Sequence, residues 1–546
     1  MRASPLMRST MAMLVIAMMP FAAAAQSTLR IGMTAADIPK TSGQPDQGFE
    51  GNRFTGIPMF DSLTQWDLSS ADKVSVLIPG LATEWRVTDA DKTKWIFKLR
   101  QGVKFHDGSD LKADAIVWNV EKVLNKEARH FAPDQIGVTV SRMPNLVSAR
   151  KIDDHTVELT TKEPDAFLPL NLTNLFIASP AHWQKKYDAL GSVSDVAERA
   201  KQAWAAFAAD ASGSGPFKMV KFSPRERLEY AKNDLYWDAK RKPKIDRVVL
   251  LPMPEANSRT AALLSGQVDW IENPAPDAIP QIKQKGFTVY TNAQPHVWPW
   301  QFSFAEGSPW LDKRVRQAAN LCVNRDELKQ VLGGLMEVPK GTVPPGHPWW
   351  GNPKFEIKYD LKGAQKLMSD AGFSATKRLK VKTITSASGS GQMQPVPMNE
   401  FVQQALKACY FDVELDVVEW NALFTNWRTG AKDPTSRGAH ATNVSFAAMD
   451  PFFAMVRFTS TKTFPPVSNN WGYFGNAEFD DLIMKARTSF EDKARDAALA
   501  RLHARIVEEA PFLWVAHDVG PRAMSAKVKG VVQPKSWFID IATMSM

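Results

Sequence analysis

Apolar residues recur along this chain with two periods, and segments of each period alternate. Residues 94–100 set Trp95, Phe97 and Leu99 on one face with Lys94 and Lys98 opposite, the period of two of a half-buried strand. A shorter strand over 103–105 ends at the turn pair Asp107-Gly108, after which Ile116, Val120, Val123 and Leu124 fall on one side of a helix that Asp110 would cap. Residues 151–160 alternate again, Val157 and Leu159 against Glu158, and predict one strand. The stretch 171–180 is apolar and buried, and 194–210 is an Ala-rich helix. Strands follow at 217–222, 227–231 and 248–252, with a helix over 256–265. Further on, Asp312 opens a helix with Val315, Ala318, Ala319 and Cys322 on one stripe; a helix over 399–408 leads into a strand at 413–418; and Leu499, Leu502 and Ile506 mark a long helix ending at Pro511. Strands alternating with helices specify an α/β protein.

Turn formers interrupt this pattern in two places. Residues 36–56 are rich in Gly, Pro and Asp and predict an irregular, surface-lining loop around 43–51, and the run Ala211-Ser-Gly-Ser-Gly-Pro216 marks a boundary between domains. The first 25 residues have the layout of a secretory signal: Arg2 and Arg8, the apolar run Met11 to Met19, Pro20, then Ala22 to Ala25 with cleavage after Ala23-x-Ala25. That run is far shorter than the roughly 20 residues of a membrane-spanning helix. No Cys follows it and no Arg pair precedes it, so the expectation is export unfolded and release as a soluble periplasmic protein.

Length and charge narrow the class. A chain of 546 residues holds two to four domains. Without Arg2 and Arg8, 65 basic residues face 58 acidic ones, interleaved along the whole chain, which is too dilute an excess for a nucleic-acid surface. Cys322 and Cys409 are the only cysteines, free to form one bridge or to be two buried thiols, so the fold rests on its hydrophobic core. There is no Gly-x-Ser-x-Gly elbow, His-Glu-x-x-His, Cys-x-x-Cys or phosphate-binding Gly-rich loop, and the nine histidines show no metal-ligand spacing. Neither an enzyme nor a resident cofactor is expected, with a secreted hydrolase or a chaperone-like module as the alternative class.

Three ordered stretches carry a resemblance. The first runs from Pro79-Gly-Leu-Ala-Thr-Glu-Trp85 through Trp95-Ile-Phe-Lys-Leu-Arg-Gln-Gly-Val-Lys-Phe-His-Asp-Gly108 to Ala113-Asp114. The second comprises Gly213-Ser-Gly-Pro-Phe-Lys218, Asn233-Asp-Leu-Tyr-Trp237, Lys242-Pro-Lys-Ile-Asp246 and Ala262-Leu-Leu-Ser-Gly-Gln-Val-Asp269. The third is Asp312-Lys-Arg-Val-Arg-Gln-Ala318 with Asn324-Arg325, and weaker echoes lie at Asp450-Pro451 and Phe474-Gly-Asn-Ala-Glu-Phe-Asp480. Together they resemble the family 5 extracellular solute-binding proteins, the peptide/nickel-type receptors of ABC importers. The resemblance implies a bilobed periplasmic-binding-protein fold with an inserted domain: residues 26–57, 208–296 and 512–546 as lobe I, 58–207 as the insertion and 297–511 as lobe II. It also implies a ligand cleft between the lobes, a monomer, and partners that are a small solute or oligopeptide and the inner-membrane permease.

Two features of the family's peptide binders have no match here. The carboxylate that receives a peptide's amino group would stand at Ala447, and the segment before the 399–408 helix lacks the expected Arg; between Lys382 and Arg428 the one positive charge is Lys407. Asp450 reads better as a cap on the helix that follows it than as a ligand contact. Glu50 and Arg53 in the N-terminal loop are candidates to compensate. Phe49, Trp298, Trp300, Trp420, Phe446 and Trp471, with Trp427 and Tyr473, supply aromatic faces, and Ser445, Ala447 and Met449 complete the candidate site. The missing charges point to a neutral or glycosylated solute as the alternative to a peptide-like one.

Overall fold

A computed structural model describes residues 26–546 apart from 47, 89 and 137–141. The expected signal, residues 1–25, lies outside the described residues.

Two seven-stranded sheets organise the molecule. In the first, Thr28–Met33 runs parallel to Arg247–Pro252 on one side and Trp270–Glu272 on the other. Arg227–Lys232 and Phe217–Ser223 extend it beyond Arg247–Pro252, while Arg522–Met524 and Thr288–Tyr290 extend it beyond Trp270–Glu272. Leu29, Ile31, Leu228, Val248, Leu250 and Trp270 are fully buried in its core.

The second sheet is centred on His296–Phe302 and Phe512–Asp518, an antiparallel pair in which every residue is buried. Both strands are covered on both faces, which is why neither alternates. Met336–Glu337 pairs outside Phe512–Asp518. Ala441–Asn443, Leu379–Ser386 and Phe411–Val418 continue beyond His296–Phe302, which also pairs with Phe446–Ala447. A smaller antiparallel sheet of four strands, Ala82–Val87, Lys94–Leu99, Thr156–Thr161 and Leu146–Asp153, carries the helix Ala113–Leu124 on its inner face. Trp95, Phe97 and Leu99 are buried there as their alternation predicts.

Three details depart from the expectations. Residues 151–160 form not one strand but the facing ends of two, joined by a turn at Asp154-His155 in which the Asp153 carboxylate accepts from His155 N–H at 2.8 Å. Asp110 does not cap the following helix, which begins at Ala113; it pairs instead with Lys104 at 2.5 Å. Phe512–Asp518, assigned to lobe I by its resemblance-derived boundary at 512, lies in the second sheet, because its apolar run supplies that sheet's centre. The chain thus returns to the first sheet only after Asp518. Cys322 and Cys409 form a disulfide, with Cα atoms 6.2 Å apart, tying the end of the helix Lys313–Cys322 to the segment after the helix Pro395–Lys407.

The two passages between sheets lie side by side. One joins Thr288–Tyr290 to His296–Phe302 and the other joins Phe512–Asp518 to Arg522–Met524. They hydrogen-bond to each other, Asn292 N–H to Val519 O at 3.0 Å and Gln294 N–H to Asp518 O at 3.2 Å. Next to them Glu272, buried, accepts from Arg522 Nε at 2.9 Å and from Trp270 Nε1 at 2.9 Å, and pairs with Arg53 Nη2 at 2.5 Å.

Candidate functional site

The loop after Thr28–Met33 is shaped by its own polar groups. Buried Glu50 accepts from Thr34 N–H at 2.7 Å and from its hydroxyl at 2.5 Å, and Asp46 accepts from Lys40 N–H at 2.8 Å. The turn is so tight that a Cβ at Gly51 would lie 1.9 Å from the Asp46 carbonyl oxygen, so only glycine fits. The result is to direct Phe49 toward the second sheet's body, its ring 5.4 Å from Phe453, while Phe538 on its own side lies 5.5 Å away.

Two segments of the second body face that loop. The helix Trp420–Thr429 is capped by Glu419, whose carboxylate accepts from Asn421 N–H at 2.7 Å and Ala422 N–H at 3.1 Å. It presents Trp420, Phe424, Trp427 and Arg428 at the i, i+4, i+7, i+8 spacing of one helical face. The turn Phe452–Val456 is capped by Asp450, which accepts from Phe453 N–H at 3.0 Å, and it presents Phe453 and Arg457 one turn apart. The capping reading of Asp450 holds.

Between these elements lies a cavity with about 740 Å³ of non-atom space, part of it open to solvent; the centres of water-sized molecules have about 70 Å³ of it. Phe49, Asp46 and Trp537 line it from the side of the first sheet, and Trp420, Phe446 and Ser445 from the side of the second. Three arginines reach it from three separate segments. Arg142 lies 4.5 Å over Phe49 and 4.7 Å over Phe453, and donates to Asn174 Oδ1. Arg457 lies 4.6 Å over Trp427 and 4.5 Å over Phe453, and donates to Asn469 Oδ1. Arg428, exposed at the rim, lies 4.6 Å over Phe424. Burial lowers the Arg142 guanidinium to about 10, and Arg457 falls well below the usual arginine range through burial and the repulsion of Arg142 and Arg428. Burial also raises Asp46 and pushes Asp450 up to about 6.

Of the residues singled out in the sequence, Phe49, Trp420, Ser445 and Phe446 line this cavity, as does Trp427. Glu50 and Arg53 do not, because each is taken up inside the protein, Glu50 by Thr34 and Arg53 by Glu272 and the Trp537 carbonyl. Trp298, Trp300 and Trp471 are core residues whose indole N–H groups are satisfied by Gln392 O, Asn399 Oδ1 and Asn426 Oδ1 at 2.9, 2.6 and 2.9 Å. Ala447 is buried in its pairing with His296, and Met449 packs beside Trp537 and Phe538, accepting from the Ser536 hydroxyl. Asp450 stands behind the wall as a cap. The resemblance to peptide binders points to a single Arg before the 399–408 helix, whereas the cavity's guanidiniums come from Arg428, beyond that helix, and from Arg142 and Arg457 in segments it does not indicate. Among the described residues no group of His, Cys, Asp and Glu is placed to hold a metal ion, and no helix is long and apolar enough to cross a membrane.

Comparison with known proteins gives concordant results. Residues 76–464 match the sequence profile described as bacterial extracellular solute-binding proteins, family 5 Middle. The dipeptide-binding protein of Escherichia coli K12 is 25% identical over 516 residues, covering 90% of this chain and 91% of its own. The oligopeptide-binding protein AppA of Bacillus subtilis 168 is 25% identical over 534 residues, covering 90% of each chain. Among solved structures, the Helicobacter pylori periplasmic binding protein DppA in complex with the peptide STSA superposes with a TM-score of 0.79 at 21% identity, over 95% of this chain and 98% of that one. The fold is thus the bilobed α/β fold of periplasmic binding proteins.

Proposed function

Since the chain belongs to the bacterial extracellular solute-binding proteins of family 5, we propose that its cavity is where a small solute is captured between two bodies that close on it, for delivery to the membrane permease. The role of substrate-binding receptor for an ABC importer follows from the family, whose members are non-enzymatic binding proteins. The observation that carries the cavity assignment is its double wall: Phe49 and Trp537 from one body face Trp420, Phe446 and Arg457 from the other, so a bound solute touches both. Enclosure of this kind removes the solute from water and links its binding to a rotation about the paired passages at 290–296 and 518–522. We assign Phe49, Trp420, Ser445 and Phe446 to solute contact and divide the molecule into two lobes and the domain that carries the four-stranded sheet. The signal-like first 25 residues support a periplasmic location and the chain acts as a monomer.

Native mass spectrometry of the gently purified exported protein tests the assignment. A retained solute that is lost in Trp420→Ala and Phe446→Ala variants supports it; a solute retained equally by both variants places binding elsewhere.

A further inference from the structure

Building on the receptor reading, we propose that the solute is a small organic anion, one or two carboxylates on an apolar body, and not a zwitterionic peptide or a neutral sugar. The cavity lining holds three guanidinium groups and one carboxylate, Asp46. Asp450, behind the wall and engaged by Phe453 N–H, offsets part of the charge of Arg142 and Arg457 without reaching ion-pair distance, and His296, which also lines the cavity, stays neutral because burial lowers it to about 3. The lining therefore carries an excess of positive charge. Among the described residues no carboxylate approaches Arg142, Arg428 or Arg457 closely enough to form an ion pair, although ion pairs satisfy other buried cations such as Arg53 and Arg241. Arg457 is only 6% exposed and its buried Nε has no hydrogen-bond partner.

Cations buried without an ion-pair partner are costly, and here they also repel one another. Aromatic stacking offsets part of this cost and, together with Asn174 and Asn469, fixes the planes of two guanidiniums. A planar, fixed guanidinium with free N–H groups is the geometry for forked binding of an oxyanion. The remaining lining, Phe49, Trp420, Phe424, Phe446 and Trp537, suits an apolar or unsaturated body, and the narrowness of the space excludes an extended oligopeptide without further opening. A free dipeptide would in addition bring an ammonium into a site that already has too many positive charges.

The probes are three pools of a small-molecule extract, anionic, neutral and cationic, separated on ion-exchange resin and added to the purified full chain in a thermal-shift assay. The anionic pool alone should raise the melting temperature and keep that effect after phosphatase treatment, as carboxylates do; loss of the effect on phosphatase treatment identifies a phosphate monoester and overturns the carboxylate assignment. Arg142→Gln and Arg457→Gln should each weaken binding of the active fraction by more than about 30-fold, the range for truncating one partner of a buried charge pair. The unliganded variants should melt at the same temperature as the parent or higher, which residues serving only the fold would not allow. If either variant is poorly folded, Arg428→Gln at the exposed rim should still weaken binding severalfold and flatten its salt dependence. A shift from the neutral or cationic pool with the anionic pool silent overturns the anion inference and leaves the receptor reading standing. Silence of all three pools, with no retained solute in native mass spectra, removes the receptor reading and this inference with it.

Discussion

Protonation of His503 would cost the second body two hydrogen bonds at once. Its Nε2 accepts from Thr342 N–H at 3.1 Å and Val343 N–H at 3.3 Å, while Nδ1 donates to Trp350 O at 2.8 Å. Burial accordingly lowers it to about 4, and burial does the same to His106 and His130, also to about 4, and His296, to about 3. Unfolded histidines titrate near 6.5, so between about 4 and 6.5 the unfolded chain binds more protons, and these four residues make stability rise with pH across that window. Asp450 and Asp518, both pushed up to about 6 by burial, act in the opposite direction over a similar range, since the folded state holds their protons longer. His503 by itself should therefore make denaturation free energy in urea titrations rise with pH between about 4 and 6.5, read as the difference between the parent and a variant lacking the imidazole. The His503→Phe variant should lose about 2 kcal/mol or more at pH 7 and show a shallower rise. Glu272 gives a second prediction at this scale: Glu272→Gln leaves Arg53 and Arg522 without their shared carboxylate, at an expected cost of about 3–5 kcal/mol in the same titration.

At the scale of elements, legibility followed exposure. The alternation of Trp95, Phe97 and Leu99 could be read because their strand has one wet face, while His296–Phe302 could not, because burial on both sides removes the contrast between faces. In the helix Trp420–Thr429 the sequence already holds the signal for one cation, since the helical spacing of Trp420, Phe424 and Trp427 places Arg428 on their face. Arg142 and Arg457 offered no such signal, since only tertiary packing brings them together. The disulfide was one of two readings the sequence left open, because spacing alone does not reveal that two helix ends converge. It closes a loop across a sequence separation of 87, and Cys322→Ser with Cys409→Ser should cost about 2–5 kcal/mol in thermal unfolding while leaving solute affinity unchanged, the bridge being remote from the cavity lining. Gly520, in the second passage between sheets, has φ +50°, and a Cβ there would meet the Gln294 side chain at 2.2 Å. Gly520→Val should therefore destabilise the chain by about 1–2 kcal/mol and also lower solute affinity, since the strain falls where the bodies must rotate, as calorimetry would report.

For the whole molecule, two short passages joined by backbone hydrogen bonds connect the sheets, a geometry that suits turning about one axis and opposes sliding. Closure on a solute should then appear as a reduced radius of gyration in small-angle scattering, with little change in far-ultraviolet dichroism. The order in which the chain builds the first sheet has a separate consequence, for synthesis and export. Arg522–Met524 fits between Trp270–Glu272 and Thr288–Tyr290, and Trp537 closes one wall of the cavity, so the first sheet becomes continuous only once residues 522–524 have been added, and the wall only with Trp537. A chain cut before residue 522 would leave a split sheet and an open wall, and should retain no solute in native mass spectra.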